Sequence, residues 1–437
     1  KSKNIKRLTY LSTHELYYAW RLVYGSLSLT RGPKTSSASI SISYEWAMKN
    51  LSSGLHLPDP VPGRERSDYA KESTEKDKPD GEEDQERARC EWDFSLSTVV
   101  STSADAAVSD TLGVIEFDPS NTVVATGGIA RKIRIYTLNS LLPQDQNTQG
   151  EQNITFLDHV NACDYYICTP AKLSSLRWKP GSGGRLLGSG DYDGVVMEYD
   201  LERKLSIFER DEHGGRRVWS VDYSHRDPFV GASGSDDGTM QMWDPRCAEG
   251  EGCVAKVQPA LARSSVCCVE FDPFGDALIA AGCADRKAYT YDVRNMVVPL
   301  HVYDGHTKTV TYVRFLDAQT MVSAGTDGCL KLWNISDSRL IRTYKGHVNS
   351  RSFVGLSVWR HGGLLGCGSE NNQVFVYDKR WGEPIWVHGF EPLGRAAGRD
   401  HGFVSSVSWR QVHEEQCTLV AGGSNGVLQV IVGRRKT

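Results

Sequence analysis

Eight side chains that do not recur from repeat to repeat are the ones in this sequence best suited to bind a ligand. The cations are Lys172, Arg216, Arg217, Lys308 and Arg351, and the aromatic residues are Tyr192, Trp219 and Phe353. Cationic side chains form charge-assisted hydrogen bonds with carboxylates, and an aromatic face accommodates an apolar side chain. This combination predicts a groove for an extended peptide with acidic residues and an apolar anchor. The alternative is that the cations are solvated surface residues without a ligand.

The sequence contains no enzyme motif that would favour catalysis over peptide binding. It has no GxSxG elbow, no Walker loop, no HExxH pair and no Cys/His cluster with metal spacing. The glycine-rich run Gly181-Ser182-Gly183-Gly184 is better explained as a hairpin turn than as a phosphate loop. We therefore expect a binding protein without enzymatic activity, cofactor or metal.

A repeated unit provides the scaffold that must position these residues. It recurs seven times between Leu112 and Gly433 and is clearest at 218–246 and 310–337. Each unit has an apolar strand ending in an aromatic residue, a strand of small residues, a tight acidic turn, and a strand ending in Trp243-Asp244 or Trp333-Asn334. This is the signature of a WD40 repeat, which forms one four-stranded blade of a propeller. The predicted fold is all-β, a seven-bladed WD40 β-propeller.

The spacing of the units shows where the ring departs from regularity. The first strands end at Phe117, Trp178, Tyr223, Phe271, Phe315, Val358 and Trp409. These positions are about 45 residues apart, as blades require, except for a longer first interval. The excess lies in a polar stretch from Leu141 to about Asn161, which we predict to be a loop.

Closure of the ring needs an outer strand for the last blade. We predict that Glu91–Leu96 supplies it by pairing with Val427–Val432. The five cations and Phe353 then fall on the rim where the chain passes from an outer to an inner strand, and Tyr192, in the turn 191–194, and Trp219 add aromatic faces nearby. The network expected from His306, Asp327 and Trp333 supports the blade rather than catalysis.

The remainder of the chain divides by composition. Residues 1–63 form an N-terminal extension, largely irregular, with one short helix predicted after the capping-box spacing of Ser12 to Glu15. Residues 64–89 are rich in charge and poor in large apolar side chains, which predicts a disordered linker. The propeller occupies 90–437.

Net charge bears on which partners the chain can bind, and cysteine content bears on the compartment in which it functions. A net charge of -4, from 50 basic and 54 acidic residues, provides no overall field for nucleic acid or a membrane. The 11 cysteines lack paired spacing, and Cys267, Cys268, Cys283 and Cys367 fall on apolar strand positions. This pattern indicates buried, reduced thiols in the nucleus and cytoplasm.

A second motif predicts a surface opposite the groove. Trp243-Asp244-Pro245-Arg246 is echoed by Tyr291-Asp292-Val293-Arg294 and Tyr377-Asp378-Lys379-Arg380. An arginine two residues after the closing aspartate of a blade emerges at the far end of the ring. It forms either a docking motif or an ordinary salt link from one blade to the next.

Several segments carry a resemblance to a plant family. Lys172-Leu173-Ser174-Ser175-Leu176-Arg177-Trp178, Gly190-Asp191-Tyr192-Asp193-Gly194 and Phe353-Val354-Gly355-Leu356 resemble the propellers of constitutive-photomorphogenesis and phytochrome-suppressor proteins, from about Glu91 to Val432. The segments 89–94, 164–170 and 211–217 are most similar to those of the repressors of UV-B photomorphogenesis.

This resemblance implies a specific function. Lys172, Tyr192, Arg217, Trp219, Lys308 and Phe353 would line a groove for Val-Pro peptides with acidic flanks. Ser350 stands where the ligase relatives have an acidic groove residue. The implied partners are the UV-B photoreceptor, whose monomers would be returned to the inactive dimer, and constitutive-photomorphogenesis ligase proteins. The alternative is a substrate receptor of a cullin-4 ubiquitin ligase that targets transcription factors, docking its adaptor through Trp243, Asp244, Arg246, Arg294 and Arg380.

Overall fold

A computed structural model describes residues 88–102, 110–142, 154–247, 253–260, 263–275, 277–390, 402–413 and 415–436. The predicted N-terminal helix lies outside the described residues, as does nearly all of the predicted linker. Those two assignments stay predictions.

The described residues form a seven-bladed β-propeller, as predicted. The first strands in the chain are β1 (Trp92–Ser101), β2 (Leu112–Phe117), β3 (Val123–Gly128), β4 (Lys132–Thr137), β5 (Thr155–Asp158) and β6 (Tyr165–Cys168). Two one-turn helices, α1 (Leu138–Leu141) and α2 (His159–Ala162), flank β5. Blade one consists of β2, β3, β4 and β6.

Blades two to six each contain four consecutive antiparallel strands. Blade two has β7 (Leu173–Trp178), β8 (Leu186–Asp191), β9 (Val196–Asp200) and β10 (Leu205–Arg210). Blade three has β11 (Val218–Tyr223), β12 (Gly231–Ser235), β13 (Met240–Trp243) and β14 (Cys253–Val257). Blade four has β15 (Val266–Phe271), β16 (Leu278–Cys283), β17 (Lys287–Asp292) and β18 (His301–Asp304).

Blade five has β19 (Val310–Phe315), β20 (Thr320–Gly325), β21 (Cys329–Asn334) and β22 (Leu340–Tyr344). Blade six has β23 (Leu356–Trp359), β24 (Leu364–Cys367), β25 (Gln373–Asp378) and β26 (Trp386–Gly389). The closing blade starts with β27 (Val404–Trp409), β28 (Gln416–Gly423) and β29 (Leu428–Arg435). Six of the predicted inner-strand ends are confirmed, whereas the strand in blade six ends at Trp359 rather than Val358.

The small residues of the second strand let neighbouring blades approach each other. A Cβ atom on Gly231 would lie 2.4 Å from the Trp243 ring of the same blade, and one on Gly234 would lie 2.7 Å from Val266 of the next blade. A side chain at Gly234 would therefore force two neighbouring blades apart, and one at Gly231 would displace the Trp243 ring within its own blade. The strand pattern of small residues is thus a packing requirement. The four cysteines expected to be buried are 0 to 4% exposed.

The N-terminal strand closes the ring, as predicted. β1 pairs antiparallel with β29, with Phe94 opposite Gly433. Phe94 is 9% exposed and packs in one apolar cluster with Trp359 and Trp409. Glu91 adds a 2.5 Å ion pair to Arg380. The pairing removes an unprotected edge from the closing blade and ties the two ends of the ring together.

The prediction of a loop from Leu141 to about Asn161 was wrong for its described C-terminal part. Strand β5 pairs in parallel with β1, so the closing blade has five strands. The His159 ring, 4% exposed, lies 2.8 Å from the Tyr136 hydroxyl through Nδ1 and 2.7 Å from the Gly426 carbonyl through Nε2. A neutral His159 satisfies both partners, since Nε2–H donates to the carbonyl and Nδ1 accepts from the hydroxyl. This side chain links blade one to the closing blade.

Membrane and metal features can be assessed for the described ranges only. Within them, no helix is both long and apolar enough to cross a bilayer. The same residues contain no group of three or more His, Cys, Asp or Glu side chains arranged to hold a metal ion.

Candidate functional site

The predicted groove residues lie where inner strands begin, at what we term the upper rim. Lys172 immediately precedes β7 and Arg217 immediately precedes β11, while Lys308 and Phe353 stand two and three residues before β19 and β23. Tyr192 follows β8, and because Leu173 pairs with Asp191, this turn lies at the same end of the blade. A regular scaffold thus collects non-repeated side chains from four blades on one surface.

An aromatic cluster forms the centre of this surface. The rings of Trp219 and Phe353 stack with centroids 4.3 Å apart and an interplanar angle of 10°. Tyr192 meets Trp219 edge-on at 6.0 Å, and Tyr312 meets Phe353 edge-on at 5.8 Å. Because blades three and six face each other across a seven-bladed ring, the stack of Trp219 and Phe353 covers the mouth of the channel. The sequence argument did not select Tyr312.

Arg217 and Asp236 fix the orientation of Trp219. The guanidinium carbon of Arg217 lies 4.5 Å from the Tyr192 ring centroid and 4.6 Å from that of Trp219. The indole Nε1–H of Trp219 donates to Asp236 Oδ1 at 2.6 Å, and Arg217 Nε lies 3.9 Å from Asp236 Oδ2. Cation–π contacts and a charge-assisted hydrogen bond therefore hold the ring from two sides. Asp236 belongs to a repeated acidic turn, which is why its specific contact was not predicted.

A cavity of about 540 Å³ adjoins the aromatic cluster. Its walls include Trp219, Phe353, Lys308, Arg286 and Arg351. Ser350 is also on the wall, so the position at which the ligase relatives are expected to be acidic does face this space. The lining combines aromatic faces with cations, which is the chemistry required by an apolar anchor next to an acidic side chain.

Lys172, like Tyr192 and Arg217, lies beside the cavity, whereas Trp219, Lys308 and Phe353 line it. The Lys172 carbonyl accepts a hydrogen bond from the Tyr192 N–H at 3.0 Å, which places Lys172 beside the cluster. It is not one of the described residues that line the cavity. Lys172 therefore extends the cationic surface on the side of blade two.

Glu370 positions the segment that carries Phe353. Its carboxylate accepts hydrogen bonds from the Ser350 hydroxyl at 2.6 Å and from the N–H groups of Arg351 and Ser352 at 3.0 and 2.8 Å. Burial by itself would raise the pKa of Glu370, but these donors outweigh it and lower the pKa to about 2. An ionised carboxylate thus fastens the loop on which one wall of the cavity is built.

The residues of the predicted adaptor-docking motif divide into buried and exposed ones. Trp243 is 1% exposed and meets Tyr223 edge-on at 6.3 Å, so its indole belongs to the core of blade three. Arg246 has half of its side chain exposed and binds Asp244 through Nε and Nη2, at 2.9 and 2.6 Å. Its Nη2 also reaches Asp227 at 2.6 Å.

The same arginine–aspartate pair recurs in two other blades. Arg294 Nη2 lies 2.5 Å from Asp292, and Arg380 Nη2 lies 2.7 Å from Asp378. The three arginine side chains are 30 to 73% exposed. These arginine–aspartate pairs lie within blades, whereas the salt-link alternative expected them between blades; Arg380 in addition binds Glu91. The pairs hold the guanidinium groups in fixed positions at the lower end of the ring.

The expected histidine network is present in blade five, with a serine as its centre. His306 Nδ1 contacts Asp327 at 3.0 Å, His306 Nε2 contacts Ser323 Oγ at 2.8 Å, and Trp333 Nε1 donates to the same Ser323 Oγ at 2.8 Å. His213, Asp237 and Ser233 repeat most of it in blade three. A buried network that recurs between blades supports the fold rather than a reaction.

Fold and site together define a WD40-repeat propeller with an aromatic and cationic surface on its upper rim. Models of known families match parts of it: the WD domain G-beta repeat at residues 204–244, and the N-terminal domain of nucleolar protein 10-like proteins at 228–378. The chain is 66% identical to WD repeat-containing protein RUP2 of Arabidopsis thaliana over 331 residues, which cover 75% of this chain and 89% of that protein. It belongs to the family of WD repeat-containing RUP proteins.

Two further relatives show which other WD40 proteins resemble this chain. WD repeat-containing protein RUP1 of Arabidopsis thaliana is 59% identical over 349 residues, or 79% of this chain and 86% of that protein. E3 ubiquitin-protein ligase COP1 of the same plant is 35% identical over 321 residues, which are 73% of this chain but 44% of COP1. The family predicted from the sequence is confirmed, and the chain is a WD40 regulator related to COP1.

Proposed function

We propose that this protein is a non-enzymatic negative regulator of UV-B light signalling. It binds the Val-Pro tail of the UV-B photoreceptor on its upper rim and promotes the return of photoreceptor monomers to the inactive homodimer. The observation that carries the proposal is the cavity in which Trp219 and Phe353 lie next to Lys308, Arg286 and Arg351. The family relationship to RUP1 and RUP2 supports it.

The chemistry of the surface suits such a peptide. A Val-Pro dipeptide is apolar, and proline lowers the entropy lost when an extended segment is ordered. Its side chains would pack against the aromatic cluster, while acidic neighbours would meet Arg217, Lys308 and Lys172. The net charge of the whole chain is only -4, so the local concentration of cations decides which ligands approach.

Magnitudes indicate a transient complex. Burial of one apolar anchor contributes about 1.5–3 kcal/mol, and each charge-assisted hydrogen bond contributes about as much. Three or four such contacts, less the cost of ordering the peptide, leave about -8 kcal/mol, which corresponds to a micromolar Kd. This strength fits a regulator that must also release its partner.

The test is a titration of a labelled photoreceptor tail peptide. Wild-type protein should bind it, and Trp219→Ala should weaken binding by more than about thirtyfold because the central aromatic face is lost. Phe274→Ala is the matched control, since Phe274 is 43% exposed in a turn between β15 and β16 at the opposite end of the ring. Equal affinity of the wild type and Trp219→Ala for the peptide would contradict the proposal.

The second half of the proposal needs its own measurement. Photoreceptor monomerised by UV-B is mixed with wild-type protein or Trp219→Ala, and recovery of the dimer is followed by size-exclusion chromatography. Wild type should accelerate recovery, and Trp219→Ala should not. Constitutive-photomorphogenesis ligase proteins are proposed further partners in the nucleus and cytoplasm.

A role as a substrate receptor of a cullin-4 ubiquitin ligase is the second candidate, with transcription factors as its targets. The observation in its favour is the exposed and oriented Arg246, held by Asp244 and Asp227. Arg246→Ala should abolish capture of the ligase adaptor and leave peptide affinity unchanged. An unaltered adaptor pull-down with this variant would remove the second candidate and leave the first intact.

A further inference from the structure

We infer that Arg286 is a specificity-determining residue of the upper rim, where its guanidinium binds an Asp or Glu carboxylate adjacent to the apolar anchor of the peptide. This inference rests on the proposed peptide-binding function. It assigns to Arg286 a contact that the repeat pattern gives no reason to expect.

The backbone of Arg286 is in a conformation that favours glycine. Its φ angle is 78°, in the left-handed region. It occupies the tight turn between the second and third strands of blade four. The same turn has glycine with positive φ in four other blades: Gly194, Gly238, Gly328 and Gly426. A side chain at such a position is strained. Arg131 and Asn372 carry the same strain in blades one and six, so Arg286 differs from them by its place on the cavity wall.

Arg286 forms no ion pair with a carboxylate of the described residues, and the adjacent Asp285 accepts instead from the Lys287 N–H and the Tyr289 hydroxyl. Among the described residues that line the cavity, Asp236 is the one carboxylate, and it already accepts from Trp219 and lies near Arg217. Neither Arg286 nor its neighbours on the wall, Lys308 and Arg351, form an ion pair within the part of the chain that the structure describes. Three cations without a partner carboxylate thus face a cavity of about 540 Å³.

The guanidinium is suited to this task by its shape. It presents N–H donors in a planar fork that matches both oxygens of a carboxylate. Arg286 is exposed, in blade four, between the blades that supply Trp219 and Phe353. A peptide whose anchor contacts those rings therefore brings a flanking residue to Arg286.

Blade one provides a matched control. Arg131 occupies the equivalent turn, between β3 and β4, with a φ angle of 55°. It is not one of the described residues that line the cavity, and its Nη1 lies 3.5 Å from the Pro170 carbonyl. Replacement of Arg131 by glycine makes the same backbone change as Arg286→Gly without altering the cavity.

The experiment compares Arg286→Gly, Arg286→Ala and Arg131→Gly with the wild type. Three synthetic peptides share a Val-Pro core and carry glutamates before it, after it, or not at all. Arg286→Gly and Arg286→Ala should each lose about tenfold in affinity for one acidic peptide and less than about twofold for the neutral peptide. Arg131→Gly should bind all three like the wild type. Thermal unfolding should give Arg286→Gly a Tm no lower than that of Arg286→Ala, because only the alanine retains a Cβ in the left-handed region.

The outcomes separate this inference from the function on which it rests. If the wild type binds the acidic peptides through Trp219 while Arg286→Gly keeps full affinity for both, the assignment of Arg286 is wrong and the proposed function survives. An equal loss for acidic and neutral peptides also overturns the assignment, since it would show a packing role. If the wild type binds none of the peptides, the proposed function itself fails.

Discussion

Trp219 and Phe353 stack across the channel of the propeller with their ring centroids 4.3 Å apart. They come from blades three and six, so two non-adjacent parts of the ring meet over its central opening. At this separation no side chain fits between the two rings. An apolar anchor must therefore bind beside the stack, in the cavity lined by both rings, or separate them.

Phe353→Ala tests the importance of this stack. The variant should weaken peptide binding about tenfold, because Trp219 loses the ring that holds its outer face. The free energy of unfolding should fall by only about 1–2 kcal/mol, since Phe353 is half-buried. Peptide titration and urea unfolding measure the two effects, and Phe274→Ala serves as the control for loss of an exposed ring. A large loss of stability with unchanged affinity would show that the stack is structural only.

Phe94→Ala tests the closure of the ring. Phe94 fills the space between Trp386 and Trp409, at ring-centroid distances of 5.3 and 6.4 Å, so its removal leaves a cavity in the closing blade. We expect a loss of about 3 kcal/mol in the free energy of unfolding. Deletion of residues 1–87, which leaves β1 intact, should cost far less by the same measurement. An unchanged free energy of unfolding in Phe94→Ala would contradict the assignment of β1 as the closing strand.

The fold was predictable because the same strand pattern recurs in seven units, and each unit specifies how its blade packs. An apolar strand, a strand of small residues and a strand that ends at Trp243 or Trp333 together specify one blade, independently of the neighbouring blades. The fifth strand of the closing blade was not predictable. Thr155–Asp158 has four residues in a polar stretch, and its pairing with Thr98–Ser101 is parallel and distant in sequence. The local sequence pattern does not indicate that these residues pair with a strand so distant in the chain.

The site was predictable to the extent that its residues interrupt the repeat. Trp219 stands out because the other blades lack an aromatic residue at its position, and the structure brings it together with Phe353. Asp236 and Arg286 did not stand out, because they occupy turn positions that every blade fills. Only the structure shows that the first accepts from Trp219 and that the second has a positive φ angle on the cavity wall.

Trp243→Ala tests whether this residue acts at the surface or in the core. Its ring is 1% exposed, and it packs over Gly231 and against Tyr223. Truncation should cost about 3–5 kcal/mol in the free energy of unfolding, as for other buried tryptophans. Any loss of adaptor capture would then follow from unfolding, which circular dichroism detects. Arg246→Ala is the matched variant for the exposed part of the motif and should unfold like the wild type.

The stability of blade six should depend on pH through His347. The side chain is 5% exposed, with Nδ1 2.9 Å from the Tyr377 hydroxyl, and burial, only partly opposed by Asp327, lowers the pKa of His347 from 6.5 to about 4. Below pH 6.5 the unfolded chain therefore binds a proton that the folded protein does not. The stability that depends on a neutral His347 is therefore fully present above pH 6.5. Below that pH, the free energy of unfolding falls by about 1.4 kcal/mol per pH unit until the pH approaches 4.

Urea unfolding at pH 7 and pH 5 measures this dependence. Wild type should lose about 2 kcal/mol from His347 between these values, and His347→Gln should lose correspondingly less, because glutamine does not titrate. His225→Gln, at an exposed position, is the control and should retain the wild-type slope. Since His347 lies three residues before Ser350, unfolding of this region at low pH should also release the loop held by Glu370 and reduce peptide binding. Identical slopes for the wild type and His347→Gln would show that the buried imidazole is protonated without cost.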